Sequence, residues 1–272
     1  MRNLFCRAVI LLIVCAVTLP AMAVTEQQGR LKVMFEAANE LCPIRLGMLG
    51  SLKGMHYAED GNEVVAVVEL SNAGSRGLSG QYDDSLMKRQ LFLSMSTPNA
   101  KPTWAAVADA GASVKYIYLF TDGRTLEVSL APDEVRHAVE NDMSDKEKSR
   151  IQASISIMME NASCPSGSAG LVLKSVKEKD GEVVYTLDVD ESLHNMDLFQ
   201  SKVAELKGNV EHIYRTDISV RSQLKHFVGA GLGVHYVYKG DASGREVDVV
   251  FSVDDLADIL GLPRSSAPSM KI

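Results

Sequence analysis

Cysteine and aromatic residues are scarce in this chain. Its 272 residues include four cysteines, one tryptophan and 6% aromatic residues in total. Two of the cysteines fall within the first 23 residues, which leaves only Cys42 and Cys164 for the remainder. This scarcity excludes a framework of several disulfides. The six histidines are scattered and show no zinc-ligand spacing, so the sequence predicts no metal site and no cofactor.

Positive charge is also in short supply. The chain has 28 Lys and Arg against 35 Asp and Glu, which gives a formal net charge of −7. An acidic balance without a basic stripe argues against a nucleic-acid partner and against binding to anionic membrane surfaces. Beyond the N-terminus no apolar run could span a bilayer, so we expect no transmembrane segment after signal cleavage.

Residues 1–23 have the features of a cleaved export signal. Arg2 and Arg7 provide a positively charged start, residues 8–17 are apolar, and Ala21-Met22-Ala23 fits the small-x-small cleavage pattern. The apolar run is shorter than the roughly 20 residues that a membrane span requires. We therefore expect an exported protein, periplasmic or secreted, whose mature chain begins at Val24.

The chain repeats a set of short markers after about 120 residues. Asn39-x-x-Cys42-Pro43 returns as Asn161-x-x-Cys164-Pro165, Asp60-Gly61 as Asp180-Gly181, Tyr116-x-Tyr118 as Tyr236-x-Tyr238, and Gly123-Arg124 as Gly244-Arg245. Four markers in the same order predict an internal duplication. The predicted organisation is a first repeat over residues 24–142, a second over 143–262, and a disordered tail over 263–272.

Each repeat has the pattern of an α-ββ-αα-ββ unit. An apolar stripe predicts an opening helix, which ends at the Cys-Pro step because proline disfavours helical geometry at the preceding residue. An Asp-Gly turn then predicts a hairpin, about 45 residues of helical character follow, and a second hairpin closes the repeat. Strands that alternate apolar and polar residues indicate antiparallel sheets. The sequence therefore predicts an α+β fold, a tandem duplication in which each half is a two-layer unit with an antiparallel four-stranded sheet and helices on one face.

Cys42 and Cys164 occupy equivalent positions and admit two interpretations. In an oxidising compartment they could form a disulfide, provided that their Cα atoms lie within about 7 Å. Alternatively, each is a buried free thiol that closes its helix. A catalytic thiolate is disfavoured, because no histidine recurs in register with both cysteines.

The remaining repeated residues supply candidates for a binding site. Arg124 and Arg245 follow the second hairpin turn of each repeat and could grip a carboxylate or phosphate, although solvent-facing arginines are commoner there. Tyr118 and Tyr238 are candidates for the lining of a shared groove. The ordinary alternative is core packing with the hydroxyl at the rim.

Catalytic signatures are missing from the sequence. It contains no Ser-His-Asp order, no Gly-x-Ser-x-Gly elbow and no Walker loop. The repeated features are those of a framework: helix ends, turns and strands. The sequence favours an exported, non-catalytic binding or interaction protein of two homologous repeats, with a protein or cell-envelope ligand. The alternative is a secreted hydrolase or thiol-dependent enzyme with a site in one half or between the halves.

Overall fold

A computed structural model describes residues 24–47, 49–81, 83–168 and 170–264. The predicted signal segment and residues 265–272 of the predicted tail lie outside the described residues. The chain divides into two compact units, Met1–Met143 and Ser144–Ile272, called unit 1 and unit 2 below.

Both units combine helices with a single sheet, so the α+β class is confirmed. Unit 1 contains α1 (Val24–Asn39), β1 (Ile44–Arg45), β2 (Gly50–Ala58), β3 (Glu63–Leu70), α2 (Asn72–Gln81), α3 (Asp84–Met95), α4 (Lys101–Asp109), β4 (Ser113–Leu119), β5 (Thr125–Leu130) and α5 (Pro132–Glu140). Unit 2 contains α6 (Asp145–Ala162), β6 (Ser166–Ser168), β7 (Leu171–Lys179), β8 (Glu182–Val189), α7 (Met196–Ser201), α8 (Val203–Thr216), α9 (Ile218–Ala230), β9 (Gly233–Gly240), β10 (Glu246–Phe251) and α10 (Val253–Leu260).

The sheets correct the predicted four-stranded antiparallel arrangement in two respects. Each sheet has five strands, in the orders β1-β2-β3-β4-β5 and β6-β7-β8-β9-β10, because a short strand follows each Cys-Pro step. Each sheet is also mixed, since β3 pairs with β4 and β8 pairs with β9 in parallel. The helices between these strands supply the long crossover connection that a parallel pair requires.

The asparagine of each Asn-x-x-Cys-Pro marker joins the opening helix to the sheet. Strand β2 has a bulge at Lys53, and the Oδ1 of Asn39 accepts a hydrogen bond from the backbone N–H of Met55, at 3.0 Å. In unit 2 the bulge falls at Lys174, and Asn161 accepts from the N–H of Val176, also at 3.0 Å. These bonds satisfy amides that the irregular strands leave outside the regular ladder.

Local signals at the start of unit 2 match the structure. Ser144 and Glu147, spaced as Ser-x-x-Glu, form a capping box: Ser144 Oγ accepts from the Glu147 N–H, and the Glu147 carboxylate accepts from the Ser144 N–H. Asp180 and Gly181 both have positive φ, as the predicted tight hairpin turn requires. In unit 1 the corresponding connection is longer, Glu59 to Asn62, and the residue with positive φ there is Asn62.

One face of the unit 2 sheet lies in the hydrophobic core. Val183, Val234, Val247, Val249 and Phe251 are at most 2% exposed and pack with buried residues of the helices. The tyrosines Tyr185, Tyr236 and Tyr238 belong to this same face, because they lie an even number of residues from Val183 and Val234. Within the described residues, no helix is long and apolar enough to cross a membrane.

Candidate functional site

The two predicted arginines make contacts at the surface of their own units. Arg124 Nε lies 2.8 Å from an Asp122 carboxylate oxygen, and its Nη2 donates to Ser79 Oγ at 2.7 Å. Arg245 Nη1 donates to Asp197 at 2.7 Å. Their side chains are 59% and 58% exposed, so these ion pairs contribute little to stability. Their role in holding a ligand stays a prediction.

The two predicted tyrosines are buried. Tyr118 is 3% exposed and Tyr238 is 7% exposed. The ring of Tyr238 lies 5.7 Å from that of Phe199 and 6.4 Å from that of Tyr236, and burial raises the pKa of its hydroxyl. Both positions correspond to the core-packing alternative, and neither side chain offers much surface to a ligand.

Cys42 and Cys164 are half-buried free thiols. Their sulfur atoms lie 3.9 Å and 3.5 Å from the backbone carbonyls of Ala38 and Glu160, one helical turn earlier. Burial raises the pKa of both thiols, and the charge of Glu160 adds to the effect at Cys164. A reactive cysteine needs the opposite shift. The disulfide between them stays a prediction.

The structure brings together a group of polar and aromatic side chains in unit 2 that the sequence did not predict as a site. It consists of Tyr185 on β8, Tyr236 on β9, Tyr214 on α8, Glu160 near the end of α6, and Gln223 on α9. We call these five residues the tyrosine cluster. Tyr185 and Tyr236 stand side by side on the parallel strands, with ring centroids 4.9 Å apart and an interplanar angle of 25°.

Hydrogen bonds of 2.7 Å link the polar groups of the tyrosine cluster. The Tyr185 hydroxyl donates to Glu160 Oε2, and Gln223 Nε2 donates to Glu160 Oε1. The hydroxyls of Tyr214 and Tyr236 bond to each other at the same distance. Elements that are far apart in the chain therefore converge on one carboxylate and one pair of hydroxyls.

The electrostatic environment keeps the phenols neutral. Burial raises the pKa of Tyr236 to about 12 and raises the pKa values of Tyr185 and Tyr214 further. The negative charge of Glu160 adds to the shift at Tyr185. In the described part of the chain, no basic side chain forms a salt bridge with Glu160. The cluster thus holds one carboxylate among neutral donors.

Much of the tyrosine cluster keeps contact with solvent despite its depth. Glu160, Tyr185, Gln223 and Tyr236 are half-buried, whereas Tyr214 is 3% exposed. Leu171, Leu173, Leu187 and Phe199 are among the partly buried apolar side chains that pack against the core of unit 2. The tyrosine cluster therefore combines hydroxyls whose pKa values are raised by burial with residues that keep part of their surface exposed.

Unit 1 shows that the framework does not require this cluster. Ala66 stands beside Tyr116 in the parallel β3–β4 pair, as Tyr185 stands beside Tyr236 in the β8–β9 pair. The residue before the asparagine of the Asn-x-x-Cys-Pro marker is Ala38 in unit 1 and Glu160 in unit 2. Alanines in unit 1 therefore replace both members of the Tyr185–Glu160 hydrogen bond.

The sequence did not predict the tyrosine cluster, because only the features shared by the two halves were compared. The informative positions are those at which the two halves differ. Alignment of the Asn-x-x-Cys-Pro markers sets Ala38 against Glu160, and alignment of the second strands sets Ala66 against Tyr185. Tyr214 and Gln223 lie on helices without a repeated marker, and nothing in the sequence places them near β8 and β9.

A second polar group lies on the opposite face of the unit 2 sheet. His235 Nδ1 lies 3.1 Å from Glu182, and its Nε2 lies 2.8 Å from Asp248. Both ring nitrogens are engaged by carboxylates, which leaves no ring nitrogen to activate a nucleophile. Lys115 and Glu63 occupy the matching places in unit 1, 3.2 Å apart, so both units have a cross-strand polar contact at these positions.

Within the described residues, no group of three or more His, Cys, Asp or Glu side chains could hold a metal ion.

Comparison with protein-family models, curated proteins and solved structures found no match to this chain.

Proposed function

We propose that the protein is an exported, non-catalytic binding protein whose ligand is held at the tyrosine cluster of unit 2. The observation that carries the proposal is the difference between the units at matched positions. Unit 1 has Ala38 and Ala66 where unit 2 has Glu160 and Tyr185. Because unit 1 forms the same strand order without these polar groups, their presence at partly exposed positions of unit 2 points to recognition.

The chemistry of the cluster supports binding over catalysis. The hydroxyls of Tyr185, Tyr214 and Tyr236 are kept neutral by burial, which makes them poor bases and nucleophiles near neutral pH. Cys164, the nearby thiol, has a raised pKa and is not activated. Aromatic rings with a few fixed polar groups are the usual composition of a ligand pocket.

We further propose that the two units are homologous repeats produced by duplication. The proposal rests on the repeated markers, the identical strand orders and the asparagine–bulge bonds in both units. In this account unit 1 supplies framework and unit 2 carries the specialised site. The proposed ligand is a protein or a cell-envelope component.

A panel of compounds tests whether the cluster binds a ligand. Thermal unfolding of the full chain is measured with amines, sugars, carboxylic acids, short peptides and cell-envelope fragments. We expect at least one class to raise Tm. The variant Glu160→Gln/Tyr185→Phe should lose this shift, because it keeps the shape but removes the charge and the hydroxyl. Tyr116→Phe, which removes the unit 1 hydroxyl at the position that matches Tyr236, is the control and should respond like wild type. An unchanged response in the double variant would exclude the site.

Export is tested by the N-terminus of the protein recovered from cells. We expect the mature chain to start at Val24, because Ala21-Met22-Ala23 fits the cleavage pattern. Edman sequencing or intact-mass measurement of the extracytoplasmic fraction reads this directly. Recovery of a chain that still begins at Met1 from the cytoplasm would contradict the proposal.

A further inference from the structure

We propose that the ligand of the tyrosine cluster is a quaternary ammonium cation. The inference rests on the proposed function and names the chemical class that its site would take. It follows from the charge of Glu160, from the way the polar groups of the cluster are already paired, and from the partly exposed aromatic rings.

The charge of the site selects a cation. Glu160 is half-buried, and its two hydrogen-bond donors, the Tyr185 hydroxyl and the Gln223 amide, are both neutral. A carboxylate that is withdrawn from water without a counter-charge carries a desolvation cost, which a bound cation would offset. The excess of acidic residues, with a net charge of −7, adds an attraction for cations during approach.

The pairing of the hydroxyls argues against a ligand that needs hydrogen-bond donors from the protein. Tyr185 has committed its proton to Glu160, and Tyr214 and Tyr236 are bonded to each other. A carboxylate, phosphate or carbonyl ligand needs N–H or O–H donors from the protein, and Tyr185 and one member of the Tyr214–Tyr236 pair have already committed theirs. A quaternary ammonium group needs no donor, so it matches a site that offers negative charge but few free donors.

The aromatic rings supply the second element of recognition. Tyr185 and Tyr236 are stacked on each other and both keep partial exposure, with Tyr238 continuing the row at 6.4 Å. Ring faces attract cations through their quadrupole, most strongly where water is excluded, and quaternary ammonium groups are typical ligands of such sites. The stacked pair leaves no room for a cation between its rings, so the contact would be with an outer ring face.

Unit 1 provides the internal contrast. Tyr116 and Tyr118 form the equivalent row, with ring centroids 6.3 Å apart, but Ala38 and Ala66 replace the carboxylate and the second stacked ring. The inference therefore predicts one cation site per chain, in unit 2.

The deciding experiment compares two compounds of nearly the same shape on the wild-type full chain. Choline carries the quaternary charge, and 3,3-dimethylbutan-1-ol replaces the nitrogen by carbon. Calorimetric titration or ligand-observed NMR should show that choline binds at least tenfold more tightly than the alcohol. Glu160→Gln should weaken choline binding at least tenfold, whereas Glu205→Gln, which removes an exposed carboxylate of α8, should leave it unchanged.

The outcomes separate this inference from the proposed function. Equal binding of the two compounds to wild type, or no binding of choline, overturns the cation inference, and this comparison holds even if Glu160→Gln fails to fold. If an uncharged compound from the panel binds and loses its effect in Glu160→Gln/Tyr185→Phe, the cation inference falls while the proposed function stands. If no compound depends on the cluster, both fall.

Discussion

Asn39 and Asn161 perform the same task at the ends of α1 and α6. Each side chain accepts the N–H of a buried residue next to a strand bulge, and so ties the opening helix to the sheet. The sequence identified both asparagines by their repetition and predicted a role at the helix end. Their partners could not be predicted, because bulge positions depend on the pairing of two strands and leave no local mark.

Asn161→Ala should reduce stability by about 1–3 kcal/mol, because it leaves the buried N–H of Val176 without its acceptor. Urea unfolding followed by circular dichroism measures the change. Asn209→Ala, at an exposed position of α8, is the control and should cost less than about 0.5 kcal/mol. An equal effect of the two substitutions would show that the hydrogen bond from the Val176 N–H to Asn161 contributes nothing to stability.

Alkaline pH should destabilise the protein through the tyrosine cluster. The native pKa values of Tyr185, Tyr214 and Tyr236 are raised by burial, so the folded protein keeps protons that the unfolded chain releases near pH 10. The free energy of unfolding therefore falls as pH rises above about 10, by up to about 1.4 kcal/mol per pH unit for each phenol. Urea titrations between pH 8 and 11 should show this slope, and Tyr185→Phe should make it shallower. A slope unaffected by Tyr185→Phe would mean that its hydroxyl is not buried as described.

At the scale of whole elements, the sequence predicted the helices and strands better than their pairing. The predicted second-hairpin strands of unit 2 correspond to β9 and β10, and the stretch of helical character predicted between the two hairpins contains α7, α8 and α9. The parallel pairing of β8 with β9 was missed, because alternating apolar and polar residues were taken to mean antiparallel neighbours. Strand alternation reports exposure of a face and not the direction of the neighbouring strand. The length of the helical connection was the better guide to direction.

His235→Lys should be tolerated in β9. The matching strand position in unit 1 is Lys115, which pairs with Glu63 across the same parallel strands as His235 pairs with Glu182. We expect the substitution to change the free energy of unfolding by less than about 0.5 kcal/mol, as for ordinary surface sites. His235→Glu should cost about 1 kcal/mol, because it places a third carboxylate beside two others. Chemical denaturation of both variants checks this, and a loss in His235→Lys equal to that in His235→Glu would contradict a simple ion-pair role.

At the scale of the whole molecule, two units with the same strand order carry different chemistry. Composition excluded disulfide-rich and basic classes of protein, and the repeated markers predicted a chain of two parts. The tyrosine cluster forms where α6, α8 and α9 meet β8 and β9. This meeting is a property of the folded unit, so no local stretch of sequence predicts it. In the proposed account the matched features describe the framework, and the residues that differ between the units, Glu160 and Tyr185 above all, form the ligand site.

The central claim is that unit 2, and not unit 1, holds the ligand at its tyrosines. Ring-labelled tyrosine NMR measures this most directly, with and without the compound that gives the largest thermal shift. We predict that the signals of Tyr185 and Tyr236 move on binding while those of Tyr57 and Tyr116 stay in place. Movement confined to the tyrosines of unit 1, or binding that leaves every tyrosine signal unchanged, would contradict the account.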